Sequence, residues 1–365
     1  MVADDDRRLR VLICMLTLVP GAMGGSETYA RELLRELADR DLDLRTLVAP
    51  VGRGFSGASG NLPETVVEEF PTGAAISARA RALVLAAVRR GALRRRTAGA
   101  DVVHHPFTVP VPPAGRGQRS VVSLLDVQHH DLPGLFSRAE RAYRSVTYDR
   151  AARRADAVVT ISHFCKDRIV HHLGIEPDRI HVAHLGVRTE EFTPALGPRE
   201  SFLLYPAKVW PHKNHPMLLA AFRLLRERHP SLTLVLTGAS ADELPAVPDG
   251  VQVRGQVSRA ELVELYRRAA VMVFPSRYEG FGLPPIEAMA SGCPVAAAAV
   301  GSLPEVVGDA GVLFDPDDAE AIAAGVEQAL DDSARLQPLG LQRARTFTWA
   351  GCADVHERLY RSLVG

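Results

Sequence analysis

The chain is poor in the features that narrow a function fastest. Its four cysteines, Cys14, Cys165, Cys293 and Cys352, are far apart and form no CxxC pair. That excludes a disulfide framework and fits reduced thiols in a cytoplasmic protein. Thirteen histidines are present, yet no Cys/His group has metal-ligand spacing, so no metal is expected. Net charge is zero, with 43 basic and 43 acidic residues, and nothing global calls for nucleic acid. Long hydrophobic runs are missing too. The stretch 82–88 is far too short to span a bilayer. The run 11–19 behind Arg7-Arg8-Leu9-Arg10 imitates a signal peptide, but Asp4-Asp5-Asp6 precedes it and no small-residue cleavage motif closes it. It reads instead as a buried first strand, and a soluble protein is expected. No GxGxxG follows that strand, which disfavours a dinucleotide oxidoreductase. Lysine is scarce; the basic residues are mostly arginine.

What is present is ordinary globular material, 47% hydrophobic and 24% charged over 365 residues, a length that suggests two domains. Residues 1–190 hold 27 Lys+Arg against 22 Asp+Glu, whereas residues 191–365 hold 16 against 21. The first half alternates strand-like runs (9–16, 44–48, 66–70, 101–105, 120–125, 157–161, 180–183) with helical patterns (27–38, 78–96, 137–154, 164–173). A capping box, Ser137-Arg-Ala-Glu140, opens the helix to 154. A polar stretch, 188–200, with Pro194, Gly197 and Pro198 reads as a linker. The alternation then restarts, with strands at 202–205, 232–236, 251–254, 271–274 and 295–298, and helices at 216–228, 258–270 and 284–290. Ser258-Arg-Ala-Glu261 is a second capping box, and the tail from 319 is helical. The expectation is an α/β protein of two Rossmann-like parallel-sheet domains, 1–190 and 201–345, facing a central cleft. Ligands of such sheets bind beyond the carboxyl ends of strands, so the loops there carry the information.

Three loops stand out. In Glu279-Gly-Phe-Gly-Leu-Pro-Pro-Ile-Glu287, Gly280 and Gly282 allow a close backbone approach, and Pro284 and Pro285 suit a helix start. The result is an anion site at a helix N-terminus, with Glu287 set to accept ribose hydroxyls and Glu279 to meet a sugar. In Lys208-Val-Trp-Pro-His-Lys213-Asn214, two of the few lysines share one loop, where they can neutralise a diphosphate of about two negative charges. Gly24-Gly25-Ser26 opens the first helix and offers amides to a phosphate or sugar. Taken singly, the glycine turns also read as plain turns.

The run EGFGLPPIEAMASG at 279–292 resembles the signature of the family 4 retaining glycosyltransferases, two glutamates separated by seven residues. GGSETYARELL at 24–34, ADAVVTISHFCKDRI at 155–169, YPAKVWPHKNHPMLLAAF at 205–222, SLPEVVGDAGVLFDPDD at 302–318 and FTWAGCADVHERLY at 347–360 resemble further family segments in the same order. The subgroup with HKN in the phosphate loop, which includes mannosyltransferases, is the most similar. The resemblance implies a GT-B fold, with the final helix, about 346–364, packing back on the N-terminal domain. It implies that Lys208 and Lys213 hold the donor diphosphate, Glu287 the ribose and Glu279 the transferred sugar. Phe281, Gly282 and Leu283 would contact sugar and phosphate through their backbone, and Gly24 and Gly25 would close over the donor. One position departs from the family: Leu125 stands where many members have a histidine before Asp126. Asp126 is kept, His129 is the first choice to replace the missing group, and His104 is a further candidate for the cleft wall.

The expected reaction is transfer of a hexosyl group from a nucleotide diphosphate sugar to an acceptor hydroxyl with retention of configuration and without a metal cofactor. GDP-mannose is the first donor to consider; the acceptor is open. Asp315-Pro316-Asp317 spells a DxD motif but lies where the family has a surface loop. A nucleotide-sugar epimerase or hydrolase on the same fold, or an inactive binding protein, are the alternatives. The Arg-rich helix at 79–96 invites peripheral contact with an anionic surface, although a solvated helix face is the preferred reading.

Overall fold

The computed structural model describes residues 7–57, 62–73, 75–238, 244 and 247–365. The chain divides into two compact units. The first comprises Met1–Ile161, Cys165–His184 and Trp349–Gly365, and the second Ser162–Phe164 and Leu185–Thr348.

In the first unit the strands are β1 (Leu9–Met15), β2 (Leu42–Val48), β3 (Glu64–Val66), β4 (Val102–His105), β5 (Arg119–Ser123), β6 (Ala157–Thr160) and β7 (Ile180–Val182). They pair in parallel in the order β3-β2-β1-β4-β5-β6-β7. In the second unit β8 (Glu200–Pro206), β9 (Thr233–Thr237), β10 (Val251–Val253), β11 (Ala269–Phe274), β12 (Val295–Ala298) and β13 (Val312–Phe314) pair in parallel as β10-β9-β8-β11-β12-β13. Both sheets are thus doubly wound. The order reverses between β1 and β4 in one and between β8 and β11 in the other, and ligands of open α/β sheets bind outside the carboxyl ends of strands at such points. The central strands are apolar throughout because helices cover both faces: Val271 to Phe274 and Val295 to Ala298 are wholly buried.

Several boundaries depart from the sequence pattern. The run 66–70 is not a strand; β3 is Glu64–Val66, and Val67 and Phe70 sit in the core within a turn closed by Phe70 N–H on the Val67 carbonyl, 3.0 Å. Burial, rather than sheet pairing, put apolar residues there. The helix expected over 78–96 is two, Ile76–Val88 and Arg90–Arg95, broken at Arg89 just ahead of Gly91. Ser137 does cap its helix, its Oγ accepting from Glu140 N at 3.2 Å, but a wide π turn at Ser145–Asp149 interrupts the course to Arg154. Strand β13 and the short helices Gln128–Asp131 and Leu303–Val307 carry too few periodic residues for the pattern to reveal them.

The terminal helix Trp349–Val364 belongs to the first unit, and a chain of buried hydrogen bonds ties it there. His356 Nδ1 lies 2.8 Å from the Cys352 carbonyl, which only accepts, so Nδ1 carries the proton and Nε2 must accept from Tyr29 Oη at 2.8 Å. Tyr29 then accepts from Ser123 Oγ, Ser123 from His104 Nε2, and His104 Nδ1 from Tyr360 Oη, each at 2.7 Å. One carbonyl therefore fixes the direction of five bonds and both tautomers, with each histidine neutral. Burial pushes the pKa of His104 well down and that of His356 down to about 4, which agrees.

Candidate active site

The switch point of the second sheet is built from the loops after β8 and β11. The first, 207–214, ends in a tight turn, Pro211–Lys213, and Asn214 closes it in the left-handed conformation at φ 61°. Asn214 is buried, and its Nδ2 donates to the Pro275 carbonyl at 3.1 Å and the Pro316 carbonyl at 2.7 Å. Arg277 N–H donates to the His212 carbonyl at 2.8 Å, and Tyr205 Oη donates to the Lys213 carbonyl at 2.6 Å. The two loops are thereby stitched together by backbone groups, which leaves the Lys213 side chain positioned rather than wandering. Its Nζ donates to Glu279 Oε1 at 2.5 Å and stands 5.3 Å from the centre of the Phe274 ring. Lys208 is exposed and lies 5.1 Å from the ring of Trp210.

The approach of β9 to this loop demands glycine. Gly238 has φ +132°, and a Cβ there would stand 2.5 Å from the Ala207 carbonyl oxygen and 2.8 Å from Lys208 N. His215, first in the helix His215–Arg228, is also buried, and burial, with Lys213 adding to it, lowers its pKa to about 4.

The loop after β11 is held by hydroxyls. Ser302 Oγ lies 3.0 Å from the Glu279 carbonyl and 2.7 Å from that of Phe281, and Ser162 Oγ donates to the Gly280 carbonyl at 2.7 Å. Gly282, at φ +108°, precedes the helix Leu283–Ala290. Pro284 and Pro285 have no N–H, so in the first turn of this helix an anion can meet only the amides of Gly282 and Leu283. Phe281 is buried, while Leu283 and Glu279 are half-buried.

Glu287 lies one turn into that helix but is not presented free. It is 7% exposed, and Arg259 Nη1 donates to its Oε1 at 2.9 Å while Tyr266 Oη donates to Oε2 at 3.3 Å. Burial raises its pKa and Arg259 opposes the shift. Arg259 also pairs with Glu191 at 2.9 Å and lies 4.3 Å from the centre of the Phe192 ring. A ribose diol at Glu287 has to replace these bonds.

The first unit treats its expected residues differently. Gly24 precedes the helix Gly25–Ala38 at φ 53°, and a Cβ at either Gly24 or Gly25 would meet no atom within 4 Å, so the turn is open. His104 is fully buried with both ring nitrogens engaged, and so does not line a wall; the hydrophobic strand end drew it inward. His129 is corrected as well. The loop after β5 turns into the helix Gln128–Asp131, which buries His129 to 3% exposure and sets its Nε2 3.1 Å from Asp149 Oδ1. His130 Nε2 holds the other carboxylate oxygen at 2.9 Å. Burial alone would raise the Asp149 pKa; the two histidine hydrogen bonds bring it below its ordinary value. These three residues place one ligand atom each within 4.8 Å, a grouping no spacing rule revealed because the π turn supplies Asp149. Asp126 is half-buried, and its Oδ1 accepts from Gln128 N at 3.0 Å, which starts that turn. At the ends of β1 and β4 lies a cavity lined by Thr17, Val19, Phe107, Val109, Tyr143 and Tyr148, with Arg79 at its side.

The amino-acid sequence did not reveal the roles of Asn214, Gly238, Ser302 and Arg259. Asn214 and Gly238 had a signal, an Asn or Gly directly after a strand or turn; Ser302 and Arg259 act through distant partners and had none.

Comparison with known proteins places this geometry. The family model described as Glycosyltransferase Family 4 matches residues 23–191, and that described as Glycosyl transferases group 1 matches residues 188–344. The O-antigen chain mannosyltransferase B of Escherichia coli is 32% identical over 287 residues, covering 72% of this chain and 75% of that protein. The MMP alpha-(1->4)-mannosyltransferase of Mycolicibacterium hassiacum is 34% identical over 230 residues, covering 59% of this chain and 56% of that one. The D-inositol 3-phosphate glycosyltransferase 1 of Catenulispora acidiphila is 35% identical over 242 residues, 58% of each. This chain therefore spans little more than half the length of the last two relatives. Among solved structures, sucrose-phosphate synthase from Thermosynechococcus elongatus superposes with a TM-score of 0.77 at 21% identity, covering 98% of this chain and 99% of that one. HepE of Anabaena in complex with UDP and glucose gives 0.72 at 17% identity, covering 97% and 100%. The chain belongs to the family 4 glycosyltransferases of the GT-B fold, which work with nucleotide-sugar donors.

Proposed function

We propose that the protein transfers a hexosyl group from a nucleotide diphosphate sugar to an acceptor hydroxyl, with retention of configuration and without a metal cofactor, as a cytoplasmic enzyme. The observation that carries this reading is the Lys213–Glu279 pair, 2.5 Å apart at the switch point of the second sheet. A diphosphate competes with Glu279 for the Lys213 ammonium, and the carboxylate so released turns to a hydroxyl of the transferred sugar. As the bond to the sugar breaks, negative charge grows on the departing diphosphate. Lys213 and the amides of Gly282 and Leu283 meet it from a held loop and helix start, and the exposed Lys208 adds a second ammonium. Phe281 contributes through its backbone, and Glu287 takes the ribose after exchange with Arg259. Gly24 and Gly25 add amides at the start of the helix Gly25–Ala38.

No carboxylate stands out as a dedicated nucleophile, which favours front-side attack assisted by the leaving phosphate. With His104 and His129 buried, Asp126 is the polar group of the first unit's loop assigned to the reacting sugar. Two of the relatives above are mannosyltransferases, so GDP-mannose is the donor to test first. The test is a thermal-shift panel of nucleoside diphosphates and their sugars in EDTA, since a ligand of the folded state raises Tm by mass action. Stabilisation by GDP and GDP-mannose in EDTA is expected. Stabilisation only when Mg²⁺ or Mn²⁺ is added contradicts the metal-free reading, and a response to UDP-sugars alone replaces the donor.

A further inference from the structure

A helix on a protein surface ordinarily turns its polar side outward. The helix Ile76–Val88 does not. Its inward side, Ala82, Leu83, Leu85 and Ala86, packs on the core of the first unit. Its exposed residues are Ser77, Ala80, Arg81, Val84, Ala87 and Val88, with Val84 at 64% and Val88 at 78%. Large aliphatic side chains held this far out of the core beside one another mark a surface that a partner can cover.

Positive charge gathers in the same stretch of chain. No acidic residue occurs between Glu69 and Asp101, whereas Arg79, Arg81, Arg89, Arg90, Arg94, Arg95 and Arg96 do. Several arginines elsewhere in the unit pair with carboxylates: Arg10 with Asp101, Arg31 with Glu27, Arg35 with Glu32, Arg40 with Asp354. Among the described residues, no carboxylate lies within ion-pair distance of the seven. Exposed aliphatic side chains beside unpaired guanidinium groups match one kind of partner, a bilayer surface whose acyl boundary takes the valines and whose phosphate headgroups take the arginines. No helix of the described residues is long and apolar enough to cross a membrane, so the contact is peripheral.

We propose that the face of the helix Ile76–Val88, with the arginines of 89–96, docks the protein on a membrane carrying anionic lipid. The inward side of that helix supplies Arg79, Ala82 and Leu83 to the cavity at the ends of β1 and β4, so docking brings that cavity to headgroup depth.

Co-sedimentation of the full chain with phosphatidylcholine vesicles, with and without about one-third phosphatidylglycerol, tests this. Each arginine near an anionic surface contributes about 1 kcal/mol, or roughly fivefold in binding. Arg89→Gln with Arg90→Gln should therefore weaken binding to the anionic vesicles about 30-fold, and raised salt should weaken it further. Val84→Asp with Val88→Asp should release the protein from those vesicles while its Tm and its response to nucleoside diphosphates stay unchanged, because both positions are exposed and outside the donor loops. Equal binding to neutral vesicles, no binding to anionic ones, or undiminished binding by the valine variant overturns the proposal. Salt-sensitive capture by RNA or an acidic protein with no vesicle binding does so as well.

Discussion

At the ends of β8 and β11 the second unit places Lys213 against Glu279, a left-handed Asn214 and a glycine that no other residue can replace. At the ends of β1 and β4, the equivalent place, the first unit has an open Gly24-Gly25 turn and a cavity walled by Val19, Phe107, Val109 and Tyr148. The strand orders around these two places correspond, so the sheet does not decide the chemistry. One switch point is stitched shut by backbone bonds around charge. The other carries a largely apolar cavity. This fits a division in which the second unit holds a ligand that is the same in every turnover and the first unit receives one whose shape is specific to this enzyme.

The sharpest way to break that contrast is at the glycines. Gly238→Val drives a side chain into the Ala207 carbonyl and forces φ +132° on a branched residue. It should cost several kcal/mol, about 3 or more, and abolish nucleoside diphosphate binding. Gly24→Ala meets no atom within 4 Å and suffers only its backbone angle, a cost of about 1–2 kcal/mol. Equal losses in the two variants, read by urea unfolding, would show that the two loops are not built differently.

Acid should separate the units next. His105 and His356 of the first unit are held by burial at about 4, against about 6.5 when unfolded. The unfolded chain takes up the protons first, so stability is lost as pH falls from about 6.5 to about 4, by up to about 3 kcal/mol per histidine. His104 acts in the same direction. In the second unit His215 is held down in this way. Hydrogen exchange at pH 7 and pH 5 should therefore show protection lost first in the peptides of β4 and the terminal helix. Simultaneous loss in β8 and β11 contradicts the asymmetry.

A smaller effect is expected at Ser302, whose hydroxyl anchors the Glu279 and Phe281 carbonyls. Ser302→Ala should lower stability by about 1 kcal/mol and weaken diphosphate binding only a few-fold, because the glycine turn loosens while Lys213 stays in place. An intact affinity with unchanged Tm would show that the turn holds itself.

Much of this was legible in the amino-acid sequence. Alternating apolar runs reported both parallel sheets, and Ser137 and Ser258 marked helix starts that their hydroxyls do cap. The lysine loop and the glycine loop were legible because lysine is rare here and glycine has few reasons to recur beside proline. Burial of histidines was not. His104 lies near the end of β4 and His129 in the short helix after β5, and whether they face solvent depended on Ser123, Tyr360 and Asp149, partners 19 to 256 residues away. Arg259 escaped for the same reason: its link to Glu287 joins two helices that no local pattern relates.

The central claim is that a diphosphate is held at the β8–β11 switch point by Lys213 without a metal. Calorimetric titration of GDP into the protein and into Lys213→Ala, both in EDTA, tests it most directly. A charge-assisted hydrogen bond of about 1.5–3 kcal/mol predicts affinity about 10- to 150-fold weaker in the variant. Equal affinity in the two proteins, or binding that appears only with added divalent cation, would contradict it.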